Sequence, residues 1–127
     1  MVWLIILSFI FAITAGISKS ICDLSSDDKI KFKPETYWVK SKSWVNKWKN
    51  GDPKQGEKFW LSSSNLVFLT DAWHLFGLIE RISYIVTYAC IGALSFYNLW
   101  FLFMIIGCYY LSVSIFHIFY HKIFKKK

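Results

Sequence analysis

The sequence predicts an all-α integral membrane protein, a bundle of three or four transmembrane helices, three being favoured, with an interfacial amphipathic helix. Of its 127 residues, 55% are hydrophobic and 20% are aromatic, which is more apolar surface than one soluble core of this length can bury. The apolar residues gather in Met1–Ile17 and in Leu66–Ile123. A Lys-rich segment separates the two runs, and this order is typical of membrane spans joined by a polar loop.

The first element is an apolar segment of residues 1–18 that ends at Lys19. We expect it to be a retained membrane anchor with Lys19 on the cytoplasmic side. A cleaved signal peptide is the alternative. Secretory signals normally begin with basic residues, and none precedes this apolar run.

The second element, residues 19–62, is polar and is expected to lie in the cytoplasm or at the membrane interface. Trp44 and Trp48 are four positions apart, so a helix would place them on one face. Tryptophan together with lysine favours the lipid headgroup region. A turn is predicted at Asn50–Pro53. The lysines around the two tryptophans are Lys40, Lys42, Lys47 and Lys49.

The third element, residues 63–127, is expected to be a helical membrane domain with a basic tail. Its first helix should start at Ser62–Asn65, because these residue types cap helix N-termini. A polar stripe follows on an otherwise apolar helix, and Glu80 lies off it. A turn is predicted at Tyr97–Asn98, and Leu99–His121 is the clearest span. The stripe consists of Thr70, Asp71, His74, Gly77 and Arg81.

Two topologies compete for this third element. In one, Phe59–Ile79 crosses the membrane as a fourth span, which places Asp71 near the bilayer centre at a cost of about 2.5–3.5 kcal/mol. In the other, which is favoured, Asn65–Arg81 lies at the cytoplasmic interface, and Ile82–Phe96 and Leu99–His121 complete three spans. This arrangement keeps every lysine on the cytoplasmic side.

The net charge of +7 predicts contact with anionic lipid headgroups. Ten of the 15 Lys and Arg residues lie between Lys19 and Lys58, and these groups flank the apolar runs. Nucleic acid is not a predicted partner, because no nucleic-acid-binding motif accompanies the charge. Four more lysines close the chain, at Lys122, Lys125, Lys126 and Lys127.

Four side chains form a candidate site for one divalent metal, zinc or iron. Asp71 and His74 are three positions apart and His117 and His121 are four apart, so each pair shares a helical face. Helical bundles build metal sites from such pairs, and imidazole and carboxylate suit these metals. Two alternatives stay open: an Asp71–His74 hydrogen bond without metal, and two histidines that merely lie at the interface.

The segments SWVNKWKNGDPKQGEKFW and FLTDAWHLF, within about residues 38–76, resemble an uncharacterised family of small hydrophobic membrane proteins of Bacteroidota and their phages. The resemblance implies that Asp71 and His74 belong to the hallmark segment of the family. Many members carry an Asp and a nearby His after the first apolar segment. Here Asp23 matches but no His follows it, so the resemblance implies a His that is lost, or supplied by His117 or His121.

Three functions fit these patterns. The first is a membrane protein with a metal-centred site at the cytoplasmic face, as an enzyme or otherwise. The second is a non-enzymatic protein that uses the Trp- and Lys-rich segment to bind lipid or a partner. The third is a phage-type holin-like or exclusion protein, which the size, the spans and the basic tail favour. No substrate, reaction or oligomeric state is predicted.

Overall fold

The computed structural model describes residues 1–96 and 99–125 of the chain. Its described part is all-helical and holds no β-strand, which confirms the all-α part of the predicted fold class. The predicted turn at Tyr97–Asn98 and the last two lysines lie outside the described residues. The α-helices are α1 (Val2–Ser26), α2 (Glu35–Trp38), α3 (Lys40–Ser43), α4 (Ala72–Ser95) and α5 (Leu99–Phe124). Short 3-10 helices span Trp44–Lys47, Lys49–Gly51, Pro53–Gln55 and Val67–Leu69.

Helix α1 lies between α4 and α5 and packs against both. It runs antiparallel to α4, because Leu4 packs near Ile91 and Leu94 at one end, while the Cys22 thiol donates to the Trp73 carbonyl, at 3.6 Å, at the other. The C-terminal ends of α1 and α5 and the start of α4 therefore meet. We call this the polar end of the bundle.

A row of small residues brings α1 close to α5. Ser8, Ala12, Gly16 and Ser20 recur every four positions, a spacing that lets helix backbones approach in membrane proteins. Ala12 packs near Val113. The Ser20 hydroxyl donates to the backbone carbonyl of α5 at position 117, at 2.7 Å. The close approach places the last turns of both helices side by side at the polar end.

The predicted start of the first helix in the third element, at Ser62–Asn65, is wrong. Helix α4 begins at Ala72, and Asp71 is its N-cap. The residues before it form turns because their polar groups are satisfied otherwise: Ser62 donates to the Lys47 carbonyl at 2.7 Å, and the Glu57 carboxylate accepts from the Leu61 amide at 3.0 Å.

Helix α4 then continues without a break to Ser95. Neither Phe59–Ile79 nor Asn65–Arg81 is a single helix, so the proposed fourth span and the proposed interfacial helix are both absent from the described structure. The expected break after Arg81 is also wrong. Asp71 lies at the helix terminus rather than in the middle of an apolar helix, where a charge would cost most.

The polar segment folds back over the polar end and has a core of its own. Ile30 and Val39 pack with Ile21 and Leu24 of α1, and a layer of aromatic rings covers them. The Lys31 amide donates to the carbonyl of Phe124 at 3.0 Å, which joins the segment to the end of α5. The rings are Phe32, Trp38, Phe76 and Phe124.

The predicted shared helical face of Trp44 and Trp48 is wrong. The 3-10 helix Trp44–Lys47 ends where Trp48 takes an extended conformation, and Trp48 pairs with Glu57 in an isolated bridge.

The turn predicted at Asn50–Pro53 is confirmed. Both Asn50 and Gly51 have positive φ, of 51° and 76°, which these residue types tolerate.

Two helices of the described chain are long and apolar enough to cross a membrane by length and composition: Val2–Ser26 and Ala72–Leu94. Many large apolar side chains on the helices are exposed rather than buried in the bundle. Trp3 is 80% exposed, Ile85 is 67% exposed and Leu111 is 64% exposed. A surface of this kind suits lipid rather than water.

Candidate functional site

The central feature of the polar end is a pair formed by Asp71 and His74. Asp71 is 1% exposed, and its carboxylate accepts from the His74 amide at 2.8 Å, which caps α4. The same carboxylate lies 2.7 Å from Nδ1 of the His74 ring. The Thr70 hydroxyl donates to it at 3.3 Å. The N-cap position thus fixes the carboxylate of Asp71, and the carboxylate in turn fixes the orientation of the His74 imidazole.

This geometry sets the tautomer of His74. A carboxylate only accepts hydrogen bonds, so Nδ1 carries the proton and donates it to Asp71. Nε2 is then the ring atom with a free lone pair. No other described residue hydrogen bonds to it. The carboxylate therefore fixes the orientation of the imidazole through Nδ1 and leaves Nε2 as the ring atom without a partner among the described residues.

Neighbouring aromatic residues hold the pair in place. The ring of Trp73 meets the His74 ring edge-on, with centroids 4.7 Å apart, and Lys40 Nζ lies 3.7 Å from the Trp73 ring centroid. Burial and then the negative charge of Asp71 raise the pKa of the Tyr37 hydroxyl above its usual value. The polar segment therefore completes the surroundings of the pair.

His74 faces a cavity of about 390 Å³ between the end of α1, the first turns of α4 and the preceding loop. Residues 74, 77, 78 and 81 recur at helical spacing, so they line it as one face of α4. Glu80, predicted to lie off the polar stripe, also lines it. The other lining residues are Cys22, Asp23, Asn65, Val67, Phe68 and Trp73.

A second acid–histidine pair lies at the rim of this cavity. His117 Nε2 on α5 is 2.7 Å from an oxygen of Asp23 on α1, and Lys19 Nζ is 3.6 Å from the same oxygen. Asp23 also lines the cavity, so it belongs to both features. The small residues of α1 make this contact possible, since they bring the two backbones together one turn away.

Comparisons of the chain with protein-family models, with curated proteins and with solved structures find no match. Membership of the Bacteroidota and phage family therefore stays a prediction. The contact between Asp23 and His117 is the one that the resemblance led us to consider, because it gives Asp23 a histidine from elsewhere in the chain.

The structure brings the four predicted metal ligands together only as pairs. Asp71 binds His74, and the ring centroids of His117 and His121 are 5.7 Å apart. Within residues 1–96 and 99–125, no three side chains of the ligand types form a group that could hold a metal. A single ion held by all four residues stays a prediction.

The residue pattern alone did not single out Cys22, whose buried thiol borders the cavity. The pairing of Asp23 with His117 was suggested only by the family resemblance, which left His117 and His121 as alternatives. The signal that could have found Asp23 is its place one turn beyond Lys19 at the end of an apolar helix. An ionisable residue there indicates a functional site.

Proposed function

We propose that the chain is a three-span protein of the inner membrane with its polar end in the cytoplasm. Helix α5 would be the third span: its 26 residues would reach about 39 Å, more than the ~30 Å of a bilayer core. The polar segment contacts the end of α5, and this supports a topology in which all the lysine-rich segments lie on the same side of the membrane.

The exposed tryptophans support contact between the polar segment and anionic lipid. Trp60 is 78% exposed and Trp44 is 48% exposed. Lysines flank Trp44 on both sides in the sequence, and Lys58 lies two positions before Trp60. Indole and ammonium groups together favour the headgroup region. Quenching of tryptophan fluorescence by brominated lipids tests this. Quenching that is equal in Trp60→Phe and the unchanged protein would argue against Trp60 as a lipid contact.

Cysteine labelling in intact cells tests the topology. Lys54 and Lys125 are exposed, and single cysteines there, in a background without Cys22, Cys90 and Cys108, should both resist an impermeant maleimide until the cells are opened. Labelling of position 54 alone in intact cells would contradict the three-span arrangement, and labelling of both would reverse its orientation.

We propose further that the polar end carries out acid–base chemistry on an amphiphile. The observation that carries this proposal is the Asp71–His74 pair facing a cavity, since an imidazole that a carboxylate holds through Nδ1 can act as a general base through Nε2. The walls include apolar side chains of Val67, Phe68 and Leu78. A ligand with an apolar part and a polar head fits such a lining.

Hydrolysis of an ester is the simplest reaction for this site, because it requires only water in addition to His74 and Asp71. His74 Nε2 would take a proton from water while the water oxygen bonds to the electrophilic carbon or phosphorus of the ester. The bond to the leaving oxygen then breaks, and this oxygen receives the proton from His74. Asp71 stabilises the imidazolium between the two transfers and keeps the ring in place.

The test uses purified protein in vesicles with a panel of carboxylic and phosphate esters, and mass spectrometry of the products. His74→Gln should lower the rate by about 10²-fold or more, the usual contribution of a general base. Asp71→Asn keeps a good helix cap but removes the carboxylate, so it should also lower the rate. His121→Gln is the matched control. Equal rates in all four proteins would refute this proposal.

A divalent metal on His74 is the second candidate. Metal-ligating histidines commonly donate their other N–H to a carboxylate, and Asp71 stands in that relation to His74. Elemental analysis of the purified protein tests it. Zinc or iron that is bound by the unchanged protein and lost in His74→Gln would support the metal, whereas equal metal content in both would exclude His74 as a ligand.

A further inference from the structure

Arg81 brings a positive charge to the cavity, where its electrostatic neighbours include Glu80 and Cys22. Its side chain lines the cavity, and Arg81 is exposed. In the described part of the chain no ion pair joins it to a carboxylate, whereas Lys19 is paired with Asp23. A guanidinium beside an apolar helix is costly unless it meets an anion. The cavity is where an anion can reach it.

The position of Arg81 selects the kind of anion. It lies ten positions after Asp71, about 15 Å along α4, so it borders the apolar part of the bundle. Guanidinium binds phosphate through paired hydrogen bonds better than an ammonium group does. A phosphate carried by an apolar tail can reach this depth with its tail in contact with Leu78 and Phe68.

The two carboxylates of the cavity favour a phosphate with one negative charge over a phosphate with two. Asp23 and Glu80 both line it, and each would repel a phosphate that carries two negative charges. Asp23 is already engaged by Lys19 and His117. A phosphodiester, with its single negative charge, is therefore a better ligand than a phosphomonoester. The volume of about 390 Å³ is within the usual range for small-ligand sites.

We infer that the cavity binds the phosphodiester headgroup of an amphiphile, with Arg81 as the phosphate-binding residue. This deepens the proposed function by naming its substrate class, and the ester attacked with His74 as base would belong to that ligand. Binding and hydrolysis are measured separately, so one can fail without the other.

Native mass spectrometry in detergent tests the binding. The probes are phosphatidylglycerol, phosphatidic acid, diacylglycerol with the same acyl chains, and soluble glycerophosphoglycerol. Phosphatidylglycerol should bind most tightly. Equal binding of diacylglycerol would overturn the role of the phosphate, and equal binding of glycerophosphoglycerol would overturn the role of the apolar tail. Tighter binding of phosphatidic acid would overturn the preference for a diester.

Variants tie the binding to the cavity. Arg81→Gln should weaken phosphatidylglycerol binding about tenfold or more, the scale of a lost charge-assisted hydrogen bond, and Arg81→Lys should weaken it less. Gly77→Leu should block binding by filling the cavity, while Gly77→Ala should not, since its Cβ would lie 3.9 Å from the Cys22 sulfur.

Two results would overturn the inference outright. One is equal binding by Arg81→Gln and the unchanged protein. The other is full binding by a Gly77→Leu protein that elutes and melts like the unchanged protein, because the cavity would then not be the site. His74→Gln should keep its binding. If it does and no ester is cleaved by the unchanged protein, the binding site stands and the hydrolytic function fails.

Discussion

Replacing Gly16 with alanine tests the packing that holds the polar end together. A Cβ at this position would lie 3.0 Å from the Val113 carbonyl oxygen, 3.0 Å from the Phe116 Cβ and 3.2 Å from the backbone nitrogen of His117. Two of these atoms belong to the backbone of α5 and cannot rotate away. The helices must therefore separate by a few tenths of an ångström or more to admit one methyl group.

The expected magnitude is the difference of two opposed effects. Overpacking a close contact costs about 1–3 kcal/mol. Alanine in place of glycine in a helix interior returns about 0.8–1 kcal/mol. The difference spans about 0–2 kcal/mol, and because the new Cβ would meet backbone atoms that cannot rotate away, Gly16→Ala should destabilise the protein toward the upper end of that range. Gly92 is the matched control, because a Cβ there would meet nothing within 4 Å, and Gly92→Ala should keep the whole stabilising effect.

The measurement is thermal unfolding of both variants in one detergent, followed by circular dichroism. Gly16→Ala should melt several degrees below the unchanged protein, and Gly92→Ala should melt at or above it. The Asp23–His117 contact lies one to two turns from the clash, so Gly16→Ala should also loosen that pair. If the two alanine variants melt together, α1 and α5 are not packed as the structure describes.

Three further outcomes follow from the polar end. Asp71→Ala should cost about 1 kcal/mol more in stability than Asp71→Asn, since asparagine still caps α4; equal melting temperatures would contradict the cap. Lys40→Gln should cost about 0.5–1 kcal/mol through its lost contact with the Trp73 ring, and Lys40→Arg should not. Hydrogen bonds from the Ser63 hydroxyl and nearby amides lower the pKa of Glu57 from its usual 4.5. Its contribution to stability is therefore present above that pH and lost as the pH falls through the lowered value, so Glu57→Gln should flatten the acid limb of a stability–pH curve.

The helices could be predicted where apolar composition decides them, and not where polar side chains do. The last apolar run predicted α5 to within three residues of its observed end, whereas α1 continues eight residues beyond the predicted end at residue 18, into the segment expected to be polar. The start of α4 was misplaced because Ser62–Asn65 and Asp71 are equally good caps by residue type. The choice between them depends on contacts across the fold, such as the Ser62 hydroxyl on the Lys47 carbonyl, which local pattern does not contain.

The same distinction separates the two halves of the site. Asp71 and His74 are three positions apart, so local geometry alone predicts that they meet. Asp23 and His117 are 94 positions apart, and their contact exists only because α1 and α5 pack closely. Helical periodicity predicts which residues share one face of a helix, but it does not predict which other helix packs against that face.

The small residues of α1 and the site chemistry are therefore linked. A larger residue at Gly16 would move α5 away and separate Asp23 from His117, which would leave the Asp23 carboxylate of the cavity with Lys19 alone. A less neutralised Asp23 would repel a doubly charged phosphate more strongly, so the preference for a single negative charge near Arg81 would increase. The close packing of α1 and α5 thus contributes to ligand selection as well as to stability, and Gly16→Ala should shift the preference between phosphatidylglycerol and phosphatidic acid even where the fold survives.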